Sequence, residues 1–588
     1  MQNLEKIYNN QTLPIVKYSD NKYRLNSRYK IGKIELSNKI AILNLTKDSS
    51  QKIFIELDKL NGAYQDDTVV VQVLFNPKGK TKAKVVQIIE SSKSKILCFV
   101  KDKKLFTIKE GVQILNNSLN LLEGDVIILQ NQEIIEHFGN ISNPKVDEKI
   151  SLYLYNEDYR LNEFKSISKK STTIGKRVDL THLDFCTIDP ASAKDHDDAI
   201  YFDEETSELY VAIADVSAYV EQNSTLDVDA KRRAFSIYLP HKVLPMLPFE
   251  LSTDLCSLVP NKPRLSYVFK IKLDLKNIRV EEAQLFEATI ESKNKYSYEY
   301  IDEVLDQNDS TNEFVKLYNI AKKFRYKRLQ NGYDFRNDEI RLILDKKEQL
   351  IDFTIETSSP SHSLIEECML MANQEAAKKL KHLGIFRVHD EPTPSKIKKL
   401  LDDVNALGLK AKLKKDVHST IVAIQNKAQE VGLEQEVDEL IIQSQQQAKY
   451  SSIKKEHFGL GFNDYSHFTS PIRRYSDLVL HRILKTNKIP QDIENICEDI
   501  STTEREISSL VWDYEDRKYA RYLSNHIEKT FEAIIVDTDK HIAKLDDSSI
   551  SGARIFIDKY SGEKLFTKVK VKIIDSDIIS KKVIAQIL

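Results

Sequence analysis

A chain of 588 residues is long enough for about four domains, and its 87 Lys+Arg against 89 Asp+Glu leave a net charge of −2, so any polyanion site must be local rather than a property of the whole surface. With 30% charged and 41% hydrophobic residues the composition excludes a mainly disordered or fibrous chain. The five cysteines (Cys98, Cys186, Cys256, Cys368, Cys497) are odd in number and lack a C-x-x-C pair, so they encode neither a disulfide framework nor a thiolate zinc site.

In chain order, the residues from 29 to 90 alternate apolar and polar in short runs separated by turn residues, which is strand periodicity, and a second such set follows to 147. A repeat of about 60 residues suits two five-stranded oligonucleotide-binding barrels, 29–90 and 91–147, behind an N-terminal segment, 1–28. Lysines 78, 80, 82 and 84 share one strand face if that segment is extended, either for nucleic acid or simply for solvent. A polar connector from 146 to 176 leads into mixed strands and long helices, which make one large unit over 148–527. Its clearest helix is 363–383, where Ile365, Met369, Ala372, Ala376 and Leu380 recur at helical spacing and Gly384 reads as the stop. Further helices are expected at 397–407, 436–449 and 492–526, and three closing strands suggest a small barrel over 528–588. No secretory pattern opens the chain, and Asp215 interrupts its longest apolar stretch, 209–220. A cytoplasmic protein with no membrane span is expected.

Four carboxylates, Asp189, Asp195, Asp197 and Asp198, fall within ten residues after a strand-like run. Charges gathered that closely raise one another's pKa and call for a cation, and an all-oxygen set favours Mg²⁺ over zinc. A straight strand would point Asp198 away from Asp195 and Asp197, so convergence requires a bent loop, which Pro190 makes plausible. An acidic surface loop is the competing reading, and His196 reads as a spacer between two acids rather than a ligand. Further on, Ser470 suits a helix cap and Pro471 a first helical position, which would put Arg473 and Arg474 in the first turn, where bound phosphate would offset their clash with the helix dipole. Pairing of Arg473 with Asp477 is the structural alternative. Carboxylates for metal beside arginines for phosphate make a phosphodiester-cleaving centre.

The aspartate segment and His467-Phe468-Thr469-Ser470-Pro471-Ile472-Arg473-Arg474-Tyr475 closely resemble signatures of the ribonuclease II/ribonuclease R (RNB) family, most like a bacterial ribonuclease R. Further matches lie at 238–248, 251–258, 288–292, 365–369 and 386–389. The resemblance implies a multidomain α+β architecture with an RNB catalytic domain flanked by two cold-shock-like barrels and one S1-like barrel. It implies processive 3′-to-5′ hydrolysis of single-stranded RNA to nucleoside 5′-monophosphates, with two Mg²⁺ ions for which Mn²⁺ can substitute. Asp189, Asp195 and Asp198 would be metal ligands, Asp197 a ligand critical for the chemical step, and Arg473 the holder of the scissile phosphate with Arg474 beside it. Tyr298 would sit beside the last nucleotide, Tyr238 and Phe335 would clamp stacked bases, and Glu366 would accept from a ribose 2′-OH. The alternative is an RNA-binding scaffold that kept the fold and lost cleavage. The chain departs from the pattern in having about 28 residues before the first barrel, in ending without a lysine-rich tail and in lacking a clear family glutamate near 511–513. Association with an RNA helicase or the ribosome leaves no readable trace.

Overall fold

The computed structural model describes residues 15–19, 22–25, 27–37, 40–45, 52–74, 81–90, 95–114, 121–130, 133–156, 159, 164, 176–335 and 338–588. The chain is a multidomain α+β protein. Strands Tyr29–Ser37, Ile40–Leu45, Lys52–Ile55, Thr68–Leu74 and Lys82–Glu90 close a barrel in the order first, second, third, fifth, fourth, and the third and fifth run parallel with Phe54 opposite Lys82. Alternation explains the closure, because Ile34, Leu43, Ile53, Ile55, Val69, Val71 and Val85 all turn inward to one core. The C-terminal strands Thr530–Asp537, Ile542–Asp547, Ile550–Asp558, Lys568–Asp577 and Lys582–Ile587 close a barrel in the same order, again with the third and fifth parallel. That is the S1-like unit expected from the sequence. Between 96 and 140 lies a second N-terminal unit, a five-stranded antiparallel sheet.

Two expectations are corrected here. The segment ahead of the first barrel, for which no element was expected, contains an antiparallel hairpin, Ile15–Ser19 with Lys22–Leu25. The connector from 146 begins with a helix, Val146–Tyr155, which buries Asp147, Ile150, Ser151 and Leu152. The helix expected at 363–383 runs Pro360–Lys379, and Gly384 lies inside the next strand, Leu383–Val388, where a Cβ would meet Leu380 Cδ1 at 2.6 Å. That glycine serves a close approach, not a helix stop. Of the lysine run, Lys82 and Lys84 lie on a strand of the first barrel, whereas Lys78 and Lys80 lie outside the described residues, as do 165–175 of the connector.

The large central unit is built on a sheet of Val178–Asp179, Phe185–Asp189, Asp198–Asp203, Glu208–Ala214, Pro263–Asp274 and Arg279–Ser297. Arg279–Ser297 pairs in parallel with Phe185–Asp189 and antiparallel with Pro263–Asp274, which curls the sheet back on itself. Helix Pro360–Lys379 packs Leu364, Cys368, Ala372 and Ala376 into the same core. Helices Pro394–Ala406, Val417–Val431 and Glu434–Ser444 form a separate small layer with its own core.

Helix Ile493–Ser524, 32 residues and about 48 Å long, holds the units together. Its Arg521 grips buried Asp147 through Nη2 at 2.5 Å and Nε at 3.0 Å, with Lys518 Nζ 3.2 Å from the same carboxylate. One face further, its Asp513 accepts from Ser151 Oγ at 2.7 Å, from Arg517 Nε at 2.8 Å and from Lys581 Nζ at 2.5 Å. Buried pairs of this kind gain little net stability but penalise any misplacement strongly, so they set the register between units.

Candidate active site

Strand Phe185–Asp189 ends at the first aspartate, Pro190 turns the chain with Ala193 N–H donating to Pro190 O at 2.9 Å, and the backbone rejoins the sheet at Asp198. The bent loop that convergence demanded is therefore present, and two side chains and one backbone N–H hold it. Lys295 Nζ donates to Ala191 O at 3.1 Å and Ala193 O at 2.6 Å. Ser257 Oγ accepts from His196 N–H at 2.9 Å and donates to Lys194 O at 2.8 Å, and Leu258 N–H donates to His196 O at 3.0 Å.

Each carboxylate has a distinct setting. Asp189 Oδ2 lies 2.6 Å from His196 Nδ1, and Asp195 Oδ2 accepts from the Tyr238 hydroxyl at 3.0 Å. Asp197 Oδ1 accepts from Ile472 N–H at 2.8 Å, while its Oδ2 is buried without a hydrogen-bond donor, 3.4 Å from Arg473 Nε. Burial pushes the Asp197 carboxyl well above the usual range despite Arg473, and the charges of Asp195 and Asp198 push it further the same way. Burial and the charge of Asp189 lift Asp198 to about 7. The four groups thus act on one another's charge, yet they do not form one closed ligand sphere, since His196 engages Asp189 and Tyr238 engages Asp195. A hard divalent cation fits this set: every donor is a carboxylate oxygen, and the buried Asp197 Oδ2 takes no hydrogen bond, while Arg473 at 3.4 Å does not offset its burial. His196, expected as a spacer, is 2% exposed and positions Asp189.

The arginine segment corrects a further expectation. Residues 470–473 form a turn, with Arg474 N–H donating to Ser470 O at 2.9 Å, and the helix starts only at Tyr475, running to Thr486. The cause is Asp477, whose Oδ1 takes both Ser470 N–H at 2.8 Å and Arg474 Nη2 at 2.7 Å and so wraps the preceding chain across the helix start. The pairing considered for Arg473 thus belongs to Arg474, whose guanidinium is turned inward. Arg473, with 46% of its side chain exposed, is left facing Asp197. Its backbone O accepts from Ser236 N–H at 3.0 Å, which ties the segment to the hairpin Ile237–Leu239 and Lys242–Leu244 that carries Tyr238.

Tyr238 is 46% exposed. Tyr298 opens helix Tyr298–Asp306 just past Ser297, which lies opposite Asp189, and its ring stacks on His362 at 3.9 Å. Burial, with the charges of Asp198 and Asp189, raises its hydroxyl pKa. Phe335 stacks at 6.1 Å on Tyr333, among the side chains of the small helical layer. The Glu366 carboxylate is held by Arg325 Nη1 at 2.9 Å, and Arg325 also grips Asp334 at 2.6 Å. His196, Ser257, Lys295 and Arg325 were not legible as site residues. Ser257, within the 251–258 motif, His196, inside the aspartate segment, and Lys295, in the run that carries Tyr298, had a signal; Arg325 had none.

A tighter His/carboxylate group among the described residues lies elsewhere: Glu148, His241 and Glu348 bring their ligand atoms within 4.8 Å of one another. Lys242 Nζ is 2.7 Å from Glu148, whereas Lys518 Nζ is 3.9 Å from Glu348, whose Oε2 is buried without a hydrogen bond. His241 Nε2 meets Glu148 at 3.1 Å and Nδ1 meets the Tyr514 hydroxyl at 3.1 Å, which pins the tip of the Tyr238 hairpin to the unit boundary.

A curled sheet with an aspartate loop at its edge and an arginine aimed into that loop is the arrangement of a nuclease domain, and comparison bears this out. The RNB domain model matches residues 177–488, the first N-terminal OB domain model of ribonuclease R matches 2–84, and the second OB domain model matches 86–152. The chain belongs to the RNB family and, within it, to the ribonuclease R group of 3′-to-5′ exoribonucleases. It is 31% identical to ribonuclease R of Helicobacter pylori, covering 96% of this chain and 93% of that one. It is 29% identical to ribonuclease R of Thermotoga maritima, covering 92% and 84%. The solved structure of Mycoplasma genitalium RNase R in complex with ribose-methylated single-stranded RNA matches with a TM-score of 0.76 at 25% identity, over 95% of this chain and 100% of that one. No helix among the described residues is long and apolar enough to cross a membrane.

Proposed function

We propose that the chain is a processive exoribonuclease that binds single-stranded RNA in the cytoplasm and hydrolyses it from the 3′ end to nucleoside 5′-monophosphates. The observation that carries this is Asp197, buried and with one oxygen unpaired, between Ile472 N–H and the open guanidinium of Arg473. Asp189, Asp195, Asp197 and Asp198 would hold Mg²⁺, as two ions, with Mn²⁺ able to substitute. When bound, such ions lower the pKa of water and offset charge on the leaving oxygen.

The side chains supply the rest. Arg473 grips the scissile phosphate and takes up the charge that grows on it as water adds to phosphorus and the bond to the 3′ oxygen breaks. Arg474, locked to Asp477, keeps the turn rigid so that Arg473 does not swing away. Tyr298 closes the site beside the last nucleotide. Tyr238, half exposed with its hydroxyl on Asp195, offers a face to a terminal base, and Phe335 offers a second from the helical layer. Glu366, steadied by Arg325, accepts from a ribose 2′-OH, which is the group that separates RNA from DNA.

The test is digestion of 5′-labelled single-stranded RNA with Mg²⁺ and with chelator. A ladder that collapses to a short labelled oligonucleotide, with 5′-monophosphates released and no reaction in chelator, is expected. RNA binding without shortening would make the chain a scaffold, and internal cuts would make it an endonuclease.

A further inference from the structure

Three ligand-bearing side chains that the nuclease centre does not use meet where three segments of the chain join. Glu148 comes from the first turn of helix Val146–Tyr155, His241 from the turn of the hairpin that carries Tyr238, and Glu348 from the turn between strands Glu339–Leu344 and Leu350–Glu356. One ligand atom of each lies within 4.8 Å of the other two. His241 Nε2 is 3.1 Å from Glu148 Oε2 and 3.8 Å from Glu348 Oε1. An ion held at about 2.0–2.2 Å by such atoms spaces them roughly 3.3–3.6 Å apart. The two edges from His241 lie on either side of that spacing. All three side chains keep 14–16% of their surface exposed, which leaves an ion a way in.

The polar contacts decide what can sit between them. His241 Nδ1 meets the Tyr514 hydroxyl at 3.1 Å and the two rings stack at 5.6 Å, which turns Nε2 towards the carboxylates. A proton on Nε2 would reach Glu148 but not Glu348, since 3.8 Å is too long for a hydrogen bond. Among the described residues the Glu348 carboxylate is otherwise met by Lys518 at 3.9 Å, and its buried Oε2 takes no hydrogen bond. Lys518 is committed elsewhere, donating to Pro144 O at 2.8 Å and lying 3.2 Å from Asp147. Lys242 engages the other oxygen of Glu148, Oε1, and its side chain is 42% exposed and able to yield.

We infer that Glu148, His241 and Glu348 bind one divalent transition-metal ion of the Zn²⁺ class. One imidazole nitrogen with two carboxylate oxygens suits Zn²⁺ better than Mg²⁺, which takes oxygen ligands in a near-ideal octahedron. The Tyr514 hydroxyl holds the far side of the ring, as the outer partner of a ligating histidine does. The ion ties helix Val146–Tyr155 to the Tyr238 hairpin and to a strand pair whose Leu342 and Leu350 pack into the core of the C-terminal barrel. The nuclease centre offers oxygen alone, so the two sites select different ions, and the inference does not rest on the catalytic reading.

The test uses full-length protein stripped with chelator, returned to excess Mg²⁺ to fill all-oxygen sites, and titrated with Zn²⁺ against a chromophoric competitor. One equivalent should bind and raise the thermal midpoint. X-ray absorption at the zinc edge should show nitrogen and oxygen donors, one imidazole and no sulfur, the five cysteines being buried; this readout needs no variant. Glu348→Gln keeps the size of the side chain and should weaken Zn²⁺ binding at least about 10-fold and abolish the rise in midpoint. A wild-type protein that binds no Zn²⁺, sulfur in the zinc shell, or undiminished binding by Glu348→Gln each overturns the inference. A stability difference between wild type and His241→Ala that follows pH and ignores Zn²⁺ overturns it too, by showing that a proton bridges His241 and Glu148.

Discussion

Asp197→Asn separates what the centre does from what it costs. The carboxamide oxygen can keep the bond from Ile472 N–H, while the buried orphan oxygen, Oδ2, is replaced by a neutral NH₂. In metal-free protein this removes the cost of burying a charge, which outweighs the penalty of about 1–3 kcal/mol for an amide NH₂ that has no acceptor beside Arg473. It also removes the attraction to Arg473 at 3.4 Å, which is worth at most about 1 kcal/mol because that side chain is 46% exposed. The variant should therefore be more stable than wild type in chelator by about 1–2 kcal/mol, read as a rise of a few degrees in thermal midpoint at a scale of roughly 2–4 °C per kcal/mol. Addition of Mg²⁺ should stabilise wild type and narrow or reverse the gap, because a ligand that binds only the native state shifts the midpoint. Turnover should fall by at least about 100-fold, the scale for losing one charge-stabilising group. A variant that is less stable than wild type in chelator, or one that turns over RNA normally while still needing metal, refutes the reasoning.

Arg473→Lys keeps the charge but loses the planar fork, so kcat should drop about 10- to 100-fold; wild-type single-turnover rates would remove Arg473 from the phosphate site. Arg521→Ala leaves Asp147 with Lys518 alone and should cost about 3–5 kcal/mol, visible as faster hydrogen exchange in helix Val146–Tyr155; unchanged exchange would mean that apolar contacts set this joint. His481 is fully buried, with Nε2 2.8 Å from Phe468 O, and burial depresses its pKa to about 4. Since the unfolded ring titrates near 6.5, the unfolded state takes up the proton first, and stability is lost as pH falls from about 6.5 towards 4. Between pH 7 and 5 the loss from this group is about 2 kcal/mol, so His481→Gln should flatten the pH dependence of the urea midpoint, and identical slopes would dismiss the assignment.

What was legible in the sequence, and what was not, divides by the range of the interaction. The barrels were readable because a strand of a small barrel turns alternate residues inward, so Ile34, Val69, Val71 and Val85 carry the pattern locally. The aspartate loop was readable as a cluster because four like charges within ten residues call for a cation or for solvent, and the motif's resemblance to the family decided between the two. The helix at 146–155 was missed because its deepest residue is Asp147, whose counter-charge, Arg521, comes from 374 positions later. The helix start at 471 was misplaced for a related reason. Ser470 and Pro471 have the local chemistry of a cap and first turn, but Asp477 takes the Ser470 N–H and the Arg474 guanidinium together, and the turn that results leaves Arg473 to Ser470 Oγ and Asp197. His196 looked like a spacer because its partner, Asp189, lies across a bend that a linear reading does not draw. Local periodicity reports which residues seek a core; it does not report which polar groups satisfy one another across the fold. The carboxylates of the centre could be read despite this because four of them lie together with Lys194 as the one lysine or arginine in the segment 187–200, whereas their partners Arg473, His196 and Tyr238 were not legible as such.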